Sequence, residues 1–212
     1  MQLTKLSHSC VRIDDGDRSL VIDPGVFSEV EMAVDGVSAI LVTHEHPDHL
    51  DVDRVRAALA ANSRLRFFAP ESVTSAFADI GEQAVTVSPG DELEAAGFTV
   101  RVFGGQHALI HPAIPMVANV GYFLGGVYHP GDSFVVPTVA VSTLLLPTNA
   151  PWSKVSEVID FAVSVRAPRV HQIHDGLIND RYVGIVEGHL NRIAGPHGVQ
   201  FQHLNPQESV TA

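Results

Sequence analysis

Four groups able to bind a metal fall within six positions of this chain: His44, His46, Asp48 and His49, in the stretch LVTHEHPDHLD. Imidazole nitrogens and carboxylate oxygens are the ligands that zinc and its first-row neighbours prefer. A strand ending at Thr43 would deliver His44 and His46 two residues apart, both on one side of an extended chain. Pro47 disfavours a helical conformation at His46 and suits the opening of a helix. Asp48 and His49 then fall in or before the first turn of that helix, where free N–H groups and the helix dipole favour a carboxylate. The donors form two groups, His44 with His46 and Asp48 with His49, aimed at adjacent points. Two metal ions a few ångström apart would require that arrangement. Two histidines behind a strand are common and carry little weight alone; four ligands in six positions carry much more.

Further candidates stand at the ends of other apolar runs: VIDPG at Val21 to Gly25, GGQH with His107, HPGDS with Asp132 and VHQIHDG with His171 and His174. The pattern HxHxDH, read as His44-Glu45-His46-Pro47-Asp48-His49, resembles the signature of the metallo-β-lactamase superfamily, and these four landmarks follow in that family's order. The resemblance implies an α/β fold, a four-layer αββα sandwich of two mixed β-sheets flanked by helices. It implies one divalent cation held by His44, His46 and His107, and a second held by Asp48, His49 and His174, with Asp132 bridging. Zinc is the expected metal, with manganese or iron as alternatives. His171 and His174 are an odd number of residues apart and would point to opposite faces of a strand; the family pattern favours His174.

The elements that must position these residues are legible in outline. LTKLSHSCVRID, SLVIDPG and SAILVTH read as strands, separated by the turn signals DDGD and DPG. Strands return at FTVRVFG, ANVGYFLGG, VYHPGD, STLLLP and RVHQIH. Helical spacing of apolar residues covers about Leu50 to Ala61, and a short helix is expected over Pro70 to Ala78. Two later helices are expected at WSKVSEVIDFAVSV, led by Ser153, and at NDRYVGIVEGHLNRIA, capped by Asn179 or Asp180. Hairpin-like groups of strands with helices between and after them suggest sheets covered by helices rather than a regular βαβ repeat. No linker, repeat or low-complexity run divides the 212 residues, so one domain over 1–212 is expected.

The bulk numbers limit the partners. Thirteen Lys and Arg against 24 Asp and Glu give a net charge of −11, which opposes a phosphate backbone and makes nucleic acid an unfavourable partner. No stretch reaches the roughly 18 apolar residues of a membrane span. The single cysteine, Cys10, cannot form an internal disulfide and reads as a small core residue. Cytoplasm is the default location, and a homo-oligomer is compatible with the composition.

The reaction expected of two metals is hydrolysis of a small ester, lactone or related substrate, anionic ones included. Asp48 would orient the attacking hydroxide as well as ligate, and Asp132 would act with it. The compact length and the HSCVRI…VIDPG opening are most similar to the small lactonase-like branch of the family, which includes ascorbate-6-phosphate lactonase. Only 24 residues separate His107 from Asp132, too few for the inserted domain of many nucleic-acid-cleaving members. Two rival readings are a phosphodiesterase or nuclease acting on small substrates through the same site, and a non-catalytic metal-binding or ligand-sensing protein. His111, Met116 and Trp152 are candidates for a substrate pocket, because their loops follow ligand-bearing strands. His8 and His129 read as packing residues with hydrogen bonding to ligands as the alternative. His189, His197 and His203 read as solvated.

Overall fold

The computed structural model describes residues 1–212. Fourteen strands form two seven-stranded sheets. The first sheet contains β1 (Gln2–Lys5), β2 (Val11–Asp15), β3 (Arg18–Ile22), β4 (Ala39–Leu41), β5 (Arg66–Ala69) and β6 (Ala84–Thr86), with the C-terminal β14 (Ser209–Thr211) on the edge beside β1. The second runs in the order β13-β12-β11-β10-β9-β8-β7, from Gln200–Phe201 (β13) through Arg169–Ile173 (β12), Thr143–Pro147 (β11), Val127–His129 (β10), Val120–Leu124 (β9) and Phe98–Gly104 (β8) to Glu92–Ala95 (β7). Each sheet is mixed. In the first, β14 to β3 pair antiparallel and β3 to β6 pair parallel. The second repeats the plan, with β7 to β10 antiparallel and β10 to β13 parallel.

Side-chain alternation explains the layering. Val11, Ile13, Leu20, Ile22, Ala39 and Leu41 of the first sheet meet Val100, Val102, Val120, Tyr122 and Leu124 of the second in one buried cluster between the sheets. The alternate residues Val21, Ile40, Val42, Phe67 and Ala69 face outwards under helices α1 (Val30–Val34), α2 (Val52–Ala61) and α3 (Glu71–Thr74), meeting Ala33, Val55, Leu59 and Val73. On the far side, Leu144, Leu146 and Val170 pack under α4 (Val155–Val165) and α5 (Asp180–Ile193) through Val158, Phe161, Val186 and Leu190. Strands apolar on both faces need cover on both. The result is the expected αββα sandwich. Tyr122 ties its middle layers together, its hydroxyl donating to the carbonyls of Val42 at 2.9 Å and Phe68 at 3.2 Å.

Several local expectations are corrected. LTKLSHSCVRID is two strands rather than one, broken by a turn in which His8 takes a φ of 58°. The strand before the HxHxDH stretch ends at Leu41, not Thr43, while Asp48 and His49 lie before α2 as expected, in a turn of their own, and the N-cap of α2 is Asp51. The segment after Pro70 is a four-residue helix continued by 3₁₀ turns to Gln83, interrupted at Gly81 with φ 62°. Ser153 does not cap α4: its hydroxyl bonds Ala150 in a preceding turn, and Glu157 accepts from the Lys154 N–H instead. Asn179 does cap α5, accepting from Arg181 and Tyr182. No helix is long and apolar enough to cross a membrane.

Candidate metal centre

The site forms where the parallel strands end, the edge at which sheets of this kind place their functional loops. Asp23 follows β3, His44 to His49 follow β4, Asp132 follows β10 and His174 follows β12. Strand β8 runs parallel to β10 across β9, so His107 emerges at the same edge. A backbone bond from Val120 N to Thr43 O, 3.0 Å, closes the two sheets on each other there.

Seven residues separated by up to 130 positions of sequence converge at this edge. Their donor atoms fall into sets lying within 4.8 Å of one another: His44, His46 and His107; His44, His49 and Asp132; and Asp48, His49 and His174 together with His8. Asp132 sits between them. Its Oδ1 is 3.1 Å from His49 Nε2, and its Oδ2 is 3.3 Å from His107 Nε2 and 3.1 Å from His174 Nε2. Asp48 Oδ2 is 3.5 Å from His174 Nε2. Of the two last-ligand candidates, His174 reaches the cluster, while His171 turns away and its Nδ1 bonds Gln202 O at 2.9 Å.

Four of the five candidate imidazoles are aimed from behind. His49 Nδ1 bonds Asp23 Oδ2 at 2.7 Å, and Asp23 also accepts from the Thr43 N–H and hydroxyl, both at 2.7 Å. The Thr43 hydroxyl in turn lies 2.9 Å from His44 Nδ1. His174 Nδ1 donates to Asn149 O at 2.6 Å, and His107 Nδ1 to Ala108 O. In these four rings Nδ1 is engaged and Nε2 is turned to the centre, whereas His46 presents its Nδ1, 3.1 Å from His44 Nε2. An acceptor behind the ring keeps the hydrogen on Nδ1 and leaves Nε2 its lone pair. Asp132 is placed by Asn119, whose Oδ1 accepts its N–H at 2.9 Å, and by Trp152, whose indole N–H donates to Asp132 Oδ2 at 2.9 Å.

Two observations test whether this arrangement fits a cation. His49 Nε2, His107 Nε2 and Asp132 Oδ1 are buried without a hydrogen bond of acceptable geometry, although partners lie within 3.3 Å. Atoms that approach closely yet point at a common space rather than at each other are disposed as ligands, and leaving such groups unsatisfied is otherwise costly. The protonation tendencies agree. Burial, reinforced by neighbouring imidazoles, holds His44 well below the ordinary histidine range and lowers His46, so both favour the neutral, ligating form. Burial pushes the Asp132 carboxyl up, but His49, His107 and His174 outweigh it and hold it well below the usual carboxylate range. Burial likewise works against charge on His49, yet Asp132 and Asp23 prevail and raise it well above the usual value. The surroundings of His49 thus call for positive charge, which a cation at Nε2 supplies in place of a proton. The donor set fits divalent metal.

Of the pocket candidates, Met116 lines a small groove with His46, His107, Leu109, Ile114 and Pro115, and Trp152 contacts Asp132 directly. His111 does not join them: it is exposed, and its Nδ1 accepts from Ala113 N within its own turn. His129 is an interior brace, its Nε2 donating to Ser9 O at 2.9 Å and its Nδ1 accepting from the Gly131 N–H at 3.2 Å. His197 is exposed as expected, but His189 and His203 are half-buried. Phe134 and Asn119 were not singled out from sequence. Phe134 packs on Trp152 at 5.0 Å between ring centres, and a lone Phe or Asn carries no motif that marks it.

Residues 2–174 match the family described as "Beta-lactamase superfamily domain". The chain is 39% identical to Protein Rv0786c of Mycobacterium tuberculosis over 217 residues, covering all of both chains. It is 31% identical to a UPF0173 metal-dependent hydrolase of Xanthobacter autotrophicus over 125 residues, spanning 54% of this chain and 51% of that one. Among solved structures, Igni18, a metallo hydrolase of Ignicoccus hospitalis, superposes with a TM-score of 0.75 at 18% identity, covering 99% and 97% of the two chains. The chain belongs to the metallo-β-lactamase superfamily, with that superfamily's fold and a histidine–aspartate cluster able to bind metal.

Proposed function

We propose that the protein is a hydrolase of small esters or lactones that works with two divalent cations. His44, His46 and His107 would hold one cation, and Asp48, His49 and His174 the other, with Asp132 bridging. The observation that carries this reading is the position of Asp132, whose two oxygens face imidazole nitrogens of both groups at 3.1 to 3.3 Å. When bound, such cations bring the pKa of a coordinated water from about 15.7 towards about 7 and polarise the substrate's oxygen. Zinc suits the ligand set, and manganese or iron is the alternative.

The chain's own residues supply the rest. Trp152 holds Asp132 Oδ2 through its N–H, so the bridging carboxylate stays in one orientation. Asp48 is the carboxylate open to the cleft, its side chain 23% exposed against 3% for Asp132, and it orients the attacking water. The groove residues Leu109, Ile114, Pro115 and Met116, beside His46 and His107, would offer apolar surface to the carbon skeleton of a substrate. No Lys or Arg lines that groove, which favours a carbonyl ester over a phosphodiester. The net charge of −11 disfavours polymeric nucleic acid in the same way.

Elemental analysis of protein purified without added metal is expected to find two equivalents of transition metal. On a panel of lactone, thioester and phosphodiester substrates, the loaded protein is expected to turn over the lactone. Asp132→Ala should lower kcat by at least about a hundredfold, since it removes the shared ligand and leaves imidazoles unopposed. Turnover confined to the phosphodiester would replace the ester reading. Fully loaded protein inert on all three would point to a binding role.

A further inference from the structure

His8 lies outside the HxHxDH pattern but inside the cluster. It occupies the turn between β1 and β2, is 1% exposed, and holds a φ of 58°, a left-handed conformation uncommon for any residue but glycine. Such a conformation persists only where its surroundings impose it. Here they do so from four sides. The Gly176 N–H donates to His8 Nδ1 at 3.1 Å. The ring stands edge-on to Phe27 at 5.3 Å and lies 4.2 Å from the His174 ring. The His8 carbonyl accepts from His174 N at 3.3 Å. Gly176 keeps the approach open, because a Cβ there would lie 3.0 Å from Nδ1 and crowd the ring.

The contact with Gly176 decides what the other nitrogen does. A neutral imidazole has one N–H and one lone pair. Nδ1 uses the lone pair to accept from Gly176, so Nε2 carries the hydrogen, and it points at Asp48 Oδ2 at 3.0 Å. For Nε2 to ligate a cation while Nδ1 still accepts, the ring would have to lose both hydrogens. His8 lies among the donor atoms of the Asp48, His49 and His174 set, yet its hydrogen-bonding pattern is that of a donor.

We infer that His8 is a positioning residue for the second cation: it donates from Nε2 to Asp48 Oδ2 and, through its carbonyl, holds the backbone of His174. This rests on the two-cation reading above. One residue would thereby align two candidate ligands that lie 126 positions apart in sequence. Partners of this kind are worth about 10- to 100-fold in metal affinity.

The test compares zinc titrations of the demetallated parent, His8→Asn and His8→Gln, read by calorimetry so that each equivalent is resolved. Asparagine tolerates a positive φ and its amide can keep the Gly176 contact, but it is too short to reach Asp48. Glutamine places an N–H close to where Nε2 stands. In His8→Asn one equivalent is expected to weaken about 10- to 100-fold while the other is unchanged, and His8→Gln is expected to recover most of the loss. Gly176→Ala leaves His8 in place but crowds Nδ1, and should weaken the same equivalent; it serves if the melting curve shows His8→Asn to be unfolded. Parental affinity at both equivalents in His8→Asn and Gly176→Ala would overturn the inference. So would His8→Gln as weak as His8→Asn, which would make the imidazole itself a ligand. A parent that binds fewer than two equivalents would instead refute the two-cation reading, a result visible before any variant is made.

Discussion

At the scale of single residues, Asp23 shows how much of the site is set behind the ligands. It is fully buried, carries a φ of 52°, and accepts from Thr43 N, the Thr43 hydroxyl and His49 Nδ1, each at 2.7 Å. Asp23→Asn keeps size and tolerance of the left-handed backbone but can present an N–H to His49 Nδ1. The imidazole would then hold its hydrogen on Nε2, where a cation must bind. The variant is expected to fold, to lose about 10- to 100-fold in affinity for the cation on His49, and to keep the His44 and His46 side. Zinc titration checks this, and unchanged affinity at both equivalents would refute the tautomer argument. The candidate ligands were legible from residue types and order: HxHxDH announces itself, and His107, Asp132 and His174 stand at recognisable strand ends. Asp23 was legible only as part of a turn signal and His8 only as a lone histidine. Their roles depend on contacts 26 and 40 positions away, which no local pattern encodes.

At the scale of elements, two turns lean on each other. The chain after β3 donates from Val26 N to Pro47 O at 2.8 Å and accepts at Pro24 O from Asp51 N at 3.0 Å, clamping the turn that carries Asp48 and His49. The clamp closes because residue 25 has no side chain: a Cβ there would lie 1.9 Å from Asp48 O. Gly25→Ala must push the two turns apart, and overpacking of this kind costs about 1–3 kcal/mol. Its melting temperature should fall and the cation on the Asp48 side should weaken, whereas Asn179→Ala, which removes only the α5 cap, should cost about 1 kcal/mol and leave metal binding alone. Equal metal affinity in the two variants would sink the clamp. The DPG signal in sequence located this turn but not its partner. Elsewhere the element signals failed for physical reasons. The break between β1 and β2 has no glycine or proline, because His8 takes the left-handed position itself. Strands β5, β6, β7, β13 and β14 are two to four residues long and too short for a period to show. Ser153 looked like a helix cap because its type suits one, yet its hydroxyl serves an earlier turn.

At the scale of the molecule, the fold was legible because strand groups and helices alternate in an order that leaves few topologies, and because the ligand landmarks keep their sequence. The closure of the first sheet by β14 beside β1 was not, since it joins the two ends of the chain. What the sandwich accomplishes is to bring loops from both sheets to one edge, so a cation held there is also a tie between the sheets: His44, His46, Asp48 and His49 come from the first, and His107, Asp132 and His174 from the second. Metal removal should therefore register as lost stability of the whole chain. At a free metal concentration one hundred times Kd, each cation stabilises the fold by about 2.7 kcal/mol. For a chain of this size that is about 5–11 °C in melting temperature, at about 2–4 °C per kcal/mol. The shift should also depend on pH with a definite sign. A cation at His49 Nε2 must displace the proton that Asp132 and Asp23 stabilise there, so binding weakens as pH falls. Melting curves with zinc or with a chelator, taken from slightly acid to slightly alkaline pH, are expected to separate progressively as pH rises. Curves that coincide at every pH would mean that no cation bridges the sheets; curves separated by a constant interval would mean that none binds at His49.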